Sequence, residues 1–319
     1  MNKILITGGC GFIGSHIVEN FLSKKFIVTV VDLWKSPEII DLEKKYQNLN
    51  VMNFNILDFE KLEKVIKENN YMIHMAAILG TLETITTYDI EEVVKTNVLG
   101  TTKILKIAKK YDLKKVLIPT TPDVSWINPY KITKQAIEKI AQLFNHEYGL
   151  NVSCLKLGNI YGPRERWLEA KDVNMNCPFN YQKVVPSFIM DTLNDKKITI
   201  YGDGEQKSEY IYVEDVVNAF DLAIKTDKNF GKEVIHVGSG KNFSVLDIID
   251  GLEKAWGRKM IKNFVKMRPG EHKIEIALNP EPMKRLLNYE LKYNLVDGLK
   301  KTIPYYEEQF KIQKKNQNN

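Results

Sequence analysis

The sequence predicts an α/β fold in which helices cover both faces of a parallel β-sheet. Short apolar runs rich in β-branched residues alternate, in the first half of the chain, with longer stretches whose apolar residues recur at helical spacing. The first run also breaks into three glycines spaced three residues apart, where a helix begins. This alternation is typical of a doubly wound sheet whose crossover connections are helices.

The predicted elements divide the chain into two parts. After residue 158 the pattern changes to longer polar loops and shorter elements, so residues 1–157 are predicted to form the sheet domain. Residues 158–319 would form a smaller C-terminal lobe with a short basic tail, apart from a strand near 233–238 that returns to the main sheet. The predicted strands are 3–7, 26–31, 51–55, 71–75, 115–118 and 151–157, and the predicted helices are the one after Gly14, 60–68, 90–110 and 130–147.

The three glycines match the fingerprint of a dinucleotide-binding turn. Gly8 permits a tight turn after the first strand, Gly11 lets the backbone approach a pyrophosphate, and Gly14 lets the helix pack closely on the sheet. The helix begins at Phe12 and Ile13, so its N-terminal amides would face the phosphates. The turn therefore predicts a Rossmann domain that binds a dinucleotide.

An acidic residue at the end of the second predicted strand indicates which dinucleotide binds. Asp32 lies at about the ~20-residue spacing at which a carboxylate contacts the adenosine ribose. A 2′-phosphate would be repelled there, and Asp32 has no arginine beside it, so NAD is favoured over NADP. Lys35 leaves NADP as an alternative.

A tyrosine and a lysine four residues apart begin a later predicted helix. The spacing places Tyr130 and Lys134 on one helix face. A nearby cation, together with a nicotinamide ring, would favour the phenolate of Tyr130, which could then exchange a hydroxyl proton near neutral pH. By itself this pair is a common coincidence, but downstream of a dinucleotide turn it indicates an oxidoreductase.

Composition excludes several other classes of protein. The chain has 319 residues and a net charge of +6, with lysines scattered among acidic residues rather than in a basic stripe, which argues against nucleic-acid binding. No apolar run approaches the ~20 residues of a membrane helix. The N-terminus has no signal-peptide pattern, which predicts a cytoplasmic protein. The histidines lack metal-ligand spacing, so no metal is expected.

Taken together, these motifs resemble the extended short-chain dehydrogenase/reductase family, which contains nucleotide-sugar 4-epimerases, 4,6-dehydratases and decarboxylases. The resemblance covers nearly the whole chain, and its motifs occur in the family's order. Besides the residues above, it is carried by Asp58, His74-Met75-Ala76-Ala77, Asn97-Val98-Leu99-Gly100-Thr101, the segment 158–164, Tyr201-Gly202-Asp203-Gly204, the segment 212–216 and Arg268-Pro269-Gly270-Glu271.

The resemblance implies roles for particular residues. Tyr130 would be the catalytic base, Lys134 its modulator, and Thr121, rather than Thr120, the family's catalytic serine or threonine. The implied cofactor contacts beyond the glycine turn and Asp32 are Asp58 at the adenine, Ala76, Asn97, Tyr130 and Lys134. The implied substrate contacts are Asn159, Arg164, Tyr201 and Arg268.

Three departures from the family pattern bear on the reaction. In Thr121-Pro122-Asp123, Pro122 replaces the acid of the dehydratases, whereas Asp123 keeps a carboxylate that could move a proton on the sugar, unless the two residues only form a turn. Only eight residues separate Thr121 from Tyr130, so the site wall would be shorter or filled by the segment 167–181. Ser208 stands where an arginine usually holds the substrate diphosphate, a loss for which Arg164, Arg166 or Lys207 could compensate.

The resemblance therefore implies an NAD-dependent enzyme that oxidises a nucleotide sugar, with 4-epimerisation as the leading outcome. A C4 dehydrogenase or reductase, and a 4,6-dehydratase-like enzyme that uses Asp123, remain open alternatives. A catalytically silent NAD(H)-binding protein is the alternative of another class. The family also implies a homodimer formed by helices 90–110 and 130–147. The apolar stripes of these helices would serve a hydrophobic core equally well, and they include Val94, Val98, Leu105, Ile137, Ile140 and Phe144.

Overall fold

The computed structural model describes residues 2–80, 83–123, 127–166, 183–231, 233–267, 275 and 277–317. The strands of this part of the chain are β1 (Lys3–Thr7), β2 (Ile27–Asp32), β3 (Leu49–Asn53), β4 (Tyr71–His74), β5 (Lys115–Thr120), β6 (Val152–Leu157), β7 (Asn159–Tyr161), β8 (Ile198–Tyr201), β9 (Lys207–Tyr212), β10 (Ile235–Val237), β11 (Asn242–Ser244) and β12 (Lys262–Val265). The helices are α1 (Phe12–Ser23), α2 (Pro37–Lys45), α3 (Phe59–Ile66), α4 (Glu83–Thr86), α5 (Ile90–Val94), a π-helical segment (Lys95–Gly100), α6 (Thr101–Lys110), α7 (Pro129–His146), α8 (Val184–Leu193), α9 (Val213–Lys225), α10 (Val245–Trp256), α11 (Glu281–Leu287) and α12 (Leu295–Gln317).

The main sheet of the described residues has seven strands in the order β10-β6-β5-β4-β1-β2-β3. Every pairing in it is parallel. The chain moves outward from β1 to β3, then crosses back and continues outward from β4, so the strand order reverses between β1 and β4. Ligands of such sheets bind at this reversal, beyond the carboxyl ends of the strands. The predicted doubly wound fold is confirmed.

Two predicted elements differ in detail from the structure. The third strand spans Leu49–Asn53, so both of its ends lie two residues before the predicted ones. The helix predicted as continuous over 90–110 is instead α5, the π-helical segment and α6 in succession. A π turn accommodates an extra residue and is frequent at functional sites. Apolar periodicity does not reveal this segment, because the helical spacing changes over only 6 residues.

One hydrophobic core cluster connects the sheet with α3, α6 and α7. It includes Leu62 and Ile104 from the first two helices and Val116 and Ile118 from β5, all at most 1% exposed. Burial of each such side chain contributes about 1.5–3 kcal/mol. This packing holds the carboxyl end of β5 against the start of α7. Leu105, Ile137 and Phe144 belong to this core cluster, which is one of the two roles that the sequence left open for their apolar stripes.

The structure divides into two compact units. The first comprises Met1–Leu157, Val217–Val237 and Pro280–Glu290. It contains β10, which pairs in parallel with β6. The second comprises Gly158–Val216, Gly238–Asn279 and Leu291–Asn319. It contains two small sheets, with strand orders β11-β9-β7 and β12-β8. Val217–Val237 and Pro280–Glu290 thus join the first unit although they are far from its other residues in sequence. The sequence indicated only the strand near 233–238.

None of the described helices combines the length and apolar character that a membrane crossing requires.

Candidate active site

The glycine turn between β1 and α1 has no room for larger residues. Gly8 has φ of +69°, and a Cβ built on it would lie 2.6 Å from the backbone nitrogen of Ala76. A Cβ on Gly14 would lie 2.2 Å from the carbonyl oxygen of Gly8. Both distances are shorter than real Cβ contacts. The turn therefore requires glycine at both positions, and it brings the segment after β4 against the segment after β1.

The N-terminus of α1 fits an anionic group. The N-cap residue Gly11 contributes no side chain, and the first turn has no acidic residue. The amides of Phe12 and Ile13 are among the first N–H groups of the helix, which have no acceptor within it. The partial positive charge of these amides favours a phosphate.

Asp32, the last residue of β2, is bound to the glycine turn. Its Oδ2 accepts a hydrogen bond from the backbone N–H of Cys10 at 2.9 Å, and its Oδ1 accepts one from the N–H of Leu33 at 2.7 Å. The carboxylate is thus held in place while it keeps acceptor capacity for a ribose hydroxyl. Lys35 Nζ lies 2.9 Å from both carboxylate oxygens of Glu43. Because Lys35 is engaged by this ion pair, these residues fit NAD better than NADP.

Asn97, predicted as a cofactor contact, bonds to the loop after β4. Its Oδ1 accepts from the N–H of Ile78 at 2.8 Å, and its Nδ2 donates to the carbonyl oxygen of Ile78 at 2.8 Å and to Thr133 Oγ1 at 3.1 Å. Both amide hydrogens are therefore used within the protein. Asn97 links the π-helical segment to α7 and to the loop that contains Ala76.

Asp58 has a local structural partner. It is the N-cap of α3, where its carboxylate accepts from the N–H of Lys61 at 3.3 Å and lies 2.8 Å from Lys61 Nζ. The hydrogen bonds and the charge of Lys61 lower the pKa of Asp58. Contact of Asp58 with an adenine stays a prediction.

The helix that contains Tyr130 and Lys134 begins at a well-defined cap. Asn128 Oδ1 accepts from the N–H of Lys131 at 2.9 Å, and Pro129 occupies the first turn. Lys134 is 5% exposed, and its Nζ donates to the carbonyl oxygen of Pro119 in β5 at 3.1 Å. The cap and this bond set the face of α7 that lies against the end of β5.

Burial affects the protonation of both Tyr130 and Lys134. Burial raises the pKa of Tyr130 to about 12. Burial lowers the pKa of Lys134 to about 8. Lys134 alone therefore does not bring the pKa of the phenol toward neutral pH. A further positive charge, as on an oxidised nicotinamide, is needed for that shift.

Thr120 and Thr121 have different partners. Thr120 Oγ1 donates to Glu138 Oε2 at 3.0 Å within the protein. Thr121 follows the end of β5 and is 7% exposed, and its Oγ1 accepts from Lys131 Nζ at 2.5 Å. Because the proton of Thr120 is used by Glu138, Thr121 is the better candidate for contact with a substrate hydroxyl.

Asp123 is part of an ion-pair network. Lys156 Nζ, on the buried strand β6, lies 2.6 Å from Asp123 Oδ2 and 3.3 Å from Glu138 Oε2. Gln135 Nε2 donates to Asp123 Oδ1 at 3.3 Å. Partial burial acts to raise the pKa of Asp123, but the hydrogen bond and charge of Lys156 outweigh it, and the pKa is lowered. Asp123 is therefore a carboxylate at neutral pH.

The predicted substrate contacts lie in the second unit or outside the described residues. Asn159 begins β7 and is exposed, Tyr201 ends β8, and Arg164 has a positive φ of 68°. Arg268 and the segment 167–182 lie outside the described residues. Lys207, offered as a replacement for the arginine missing at Ser208, pairs with Glu275 at 3.2 Å.

Sequence reasoning missed Lys131, Glu138 and Lys156. A signal existed for Lys156, because a lysine inside the apolar strand Val152–Leu157 must have a buried partner. Glu138 lies four residues after Lys134, on the same side of α7. Lys131 lies inside the Tyr130–Lys134 segment, but its spacing does not reveal that its ammonium reaches Thr121.

Within the described ranges, no group of three or more His, Cys, Asp or Glu side chains is arranged to hold a metal ion. His74 is buried between Thr7 and Thr101, and burial lowers its pKa to about 3, so it is a neutral structural residue. A glycine turn beside the Asp32 carboxylate, followed along the sheet by Tyr130 and Lys134, is the arrangement of a Rossmann-type oxidoreductase. Within that class, the chain belongs to the NAD dependent epimerase/dehydratase family, whose model matches residues 4–238.

Similar proteins agree with this assignment over the full length of the chain. The UDP-glucuronate 4-epimerase of Thermodesulfobacterium geofontis is 27% identical, covering 98% of both chains. The UDP-N-acetyl-alpha-D-glucosaminuronate decarboxylase of Bacillus cytotoxicus is 30% identical, covering 96% of this chain and 98% of its own. The crystal structure of UDP-glucuronic acid 4-epimerase from Bacillus cereus, in complex with UDP-glucuronic acid and NAD, has a TM-score of 0.83 at 28% identity and covers 96% of this chain and 99% of that one. The family resemblance seen in the sequence is confirmed.

Proposed function

We propose that the protein is an NAD-dependent 4-epimerase of a UDP-sugar. The observation that carries this proposal is the arrangement at the end of β5. Lys134, on the same face of α7 as Tyr130, is bonded to the carbonyl oxygen of Pro119, and the hydroxyl of Thr121 follows two residues later. Epimerisation requires this set of groups and no further acid.

The cofactor-binding residues are assigned from the fit of the first unit. The glycine turn and the first amides of α1 would hold the pyrophosphate, and Asp32 would accept a hydrogen bond from the adenosine ribose. Asp58 would contact the adenine, while Ala76 and Asn97 shape the loop beside the turn. When bound, NAD supplies the hydride acceptor and donor of the reaction.

The proton of the sugar's C4 hydroxyl would be transferred by a group of three residues, Tyr130, Thr121 and Lys134. Tyr130 accepts this proton as C4 is oxidised and returns it when C4 is reduced. Thr121 bonds to the same oxygen, and Lys134 adds a cation that stabilises the phenolate form of Tyr130. If the 4-keto sugar rotates in the site so that C4 is reduced on its opposite face, the product is the 4-epimer.

Substrate recognition is assigned to the second unit. We propose Arg164 and Arg268 for the diphosphate, since a guanidinium forms two parallel hydrogen bonds with phosphate oxygens. Asn159 and Tyr201 would contact the rest of the nucleotide sugar. UDP is proposed as the nucleotide because the relatives described above act on UDP-sugars.

We also propose that the protein is a homodimer that associates through α5, the π-helical segment and α7. The apolar side chains exposed on these helices are Ile90 (57%), Val94 (43%), Leu99 (52%), Ile132 (48%) and Leu143 (47%). Ile132 and Leu143 are eleven residues apart, which is three helical turns, so both lie on one face of α7. Contiguous exposed apolar side chains mark interaction surfaces.

The first experiment incubates the purified protein with NAD and a panel of UDP-, GDP-, dTDP- and CDP-sugars, followed by chromatography and mass spectrometry. We expect a UDP-sugar to give a new peak of unchanged mass. Loss of water, of carbon dioxide or of two hydrogens would instead identify a dehydratase, a decarboxylase or a dehydrogenase, and would contradict the proposal.

Variants of two tyrosines test whether the reaction takes place at the proposed site. Tyr130→Phe should lower kcat by about 10²–10⁴, the usual contribution of general acid–base catalysis, and leave bound NAD unchanged. Tyr148→Phe, at an exposed tyrosine after α7, is the matched control and should behave as the parent protein. A Tyr130→Phe protein with full activity would remove Tyr130 from the mechanism.

A further inference from the structure

Lys131, between Tyr130 and Lys134, is a buried lysine next to the site. It is 9% exposed, and its Nζ donates to Thr121 Oγ1 at 2.5 Å and to the carbonyl oxygen of Pro122 at 3.4 Å. Burial of an ammonium group is costly unless the group has a defined task or partner. The position of Lys131 therefore requires an explanation that the general family chemistry does not provide.

The charged neighbours of Lys131 are already paired with each other. Asp123 and Lys156 are the groups whose charges act on it, and these two form an ion pair at 2.6 Å. Among the described residues, no carboxylate lies within 4 Å of Lys131 Nζ. The closest contact of its ammonium is therefore the hydroxyl of Thr121.

This contact fixes which way the Thr121 hydroxyl can point. A hydroxyl has one proton to donate and two lone pairs that accept, whereas an ammonium group can only donate. Because Lys131 donates to Thr121 Oγ1, the proton of Thr121 remains for another partner. Because its donor carries a charge, the bond also polarises the hydroxyl and makes it a stronger donor.

We propose that Lys131 is a positioning residue that holds Thr121 as a hydrogen-bond donor toward the reacting oxygen of the sugar. This inference rests on the proposed function. During oxidation this oxygen becomes an alkoxide and then a ketone, and both can only accept hydrogen bonds. A fixed donor therefore stabilises them more than it stabilises the original hydroxyl, which can donate or accept. Loss of Lys131 should therefore lower kcat more than it changes KM.

The test is a double-mutant cycle on the UDP-sugar reaction with Lys131→Met and Thr121→Val. Methionine removes the ammonium group but retains an unbranched side chain of similar volume, and it leaves the backbone N–H of residue 131, which bonds to Asn128, in place. We expect Lys131→Met to lower kcat about tenfold or more, less than the ~10²–10³ lost with a direct oxyanion donor. KM should stay within about twofold. In the Thr121→Val background, Lys131→Met should cause no further loss.

Two other variants separate positioning from general effects of substitution. Lys131→Gln retains an N–H donor and should recover part of the lost kcat. Lys139→Met changes an exposed lysine on the same helix and should leave kcat and KM unchanged. Bound NAD and the thermal midpoint, measured for every variant, should match the parent protein.

Several results would overturn the inference. A raised KM with unchanged kcat would mean that Lys131 binds an anionic group of the substrate instead. An equal loss of kcat with and without the Thr121 hydroxyl would mean that Lys131 acts independently of it. An unchanged Lys131→Met enzyme would remove the role altogether. If the parent protein turns over no sugar, the proposed function is rejected, and this inference falls with it.

Discussion

Asp123 Oδ2 lies 2.6 Å from the ammonium nitrogen of Lys156. The Asp123 side chain is 68% exposed, whereas Lys156 is 5% exposed, so the bond joins a surface carboxylate to a buried cation. A carboxylate held ionised in this way cannot donate a proton until it has first accepted one. The pair therefore stabilises the ionised form of Asp123, and the proposed epimerisation does not need this residue as an acid.

Asp123→Asn should consequently leave epimerisation nearly intact. We expect kcat within about threefold of the parent protein, whereas loss of an essential acid or base would cost about 10²–10⁴. Glu147→Gln, at an exposed glutamate beyond α7, is the control. If kcat falls a hundredfold or more in Asp123→Asn but not in the control, the dehydratase-like mechanism that uses Asp123 would be favoured instead.

The same variant has a predictable effect on stability. Because Asp123 is largely exposed, the free energy of unfolding at pH 7 should fall by less than about 1 kcal/mol. The folded-state pKa of Asp123 is lowered, so the stabilisation is present above its unfolded value and is lost as pH falls through the folded value. Urea unfolding of both proteins at several pH values should show the difference vanish in acid.

Asp32 should control the choice of cofactor. Asp32→Ala removes the acceptor for the ribose and the bond to Cys10, so NAD affinity should fall about tenfold to a hundredfold. In that background, Glu43→Gln should raise NADP affinity, because it weakens the ion pair that engages Lys35. Calorimetric titration with both cofactors measures these changes, with Asp41→Asn as the control. If Glu43→Gln leaves NADP affinity unchanged, Lys35 does not contribute to NADP binding.

Lys115 should be a major stabilising residue of the first unit. Its buried Nζ donates to the carbonyl oxygens of Ala223 at 2.9 Å, Thr226 at 2.5 Å and Lys228 at 2.9 Å, at the end of α9 and just beyond it. Lys115→Met leaves these oxygens without their donor, so the free energy of unfolding should fall by about 2–4 kcal/mol. Lys114→Met, at the exposed neighbouring lysine, should change it by less than about 0.5 kcal/mol. Equal denaturation midpoints for the two variants would contradict this role.

Leu143→Glu should dissociate the proposed homodimer. A charge placed on the exposed apolar face of α7 would be buried on association, which is unfavourable without a partner. Light scattering after size-exclusion chromatography should show a dimer for the parent protein and a monomer for the variant. Lys67→Glu, at the end of α3, should remain dimeric. A monomeric parent protein would reject the proposal.

Much of the fold and part of the site follow from local patterns. The alternation of strand and helix, the glycine turn, Asp32 and the Tyr130–Lys134 pair are each encoded within a few neighbouring residues. Backbone sterics, helical periodicity and turn chemistry act over that range, so they can be recognised in the sequence.

Other features depended on contacts between residues far apart in sequence. Sequence spacing could not predict the π-helical segment that contains Asn97 or the buried pair of Lys156 and Glu138. Nor could it predict that Thr120 and Thr121 have different partners. For the same reason, the sequence could not decide between a core and a dimer surface for Leu105, Ile137 and Phe144, since an apolar stripe does not reveal what covers it. The sequence by itself thus determined the fold class, the dinucleotide turn and the family. Only the tertiary structure decided that Lys131 reaches Thr121 and that Asp123 is ion-paired, because a side chain's partners and pKa depend on the elements that fold around it.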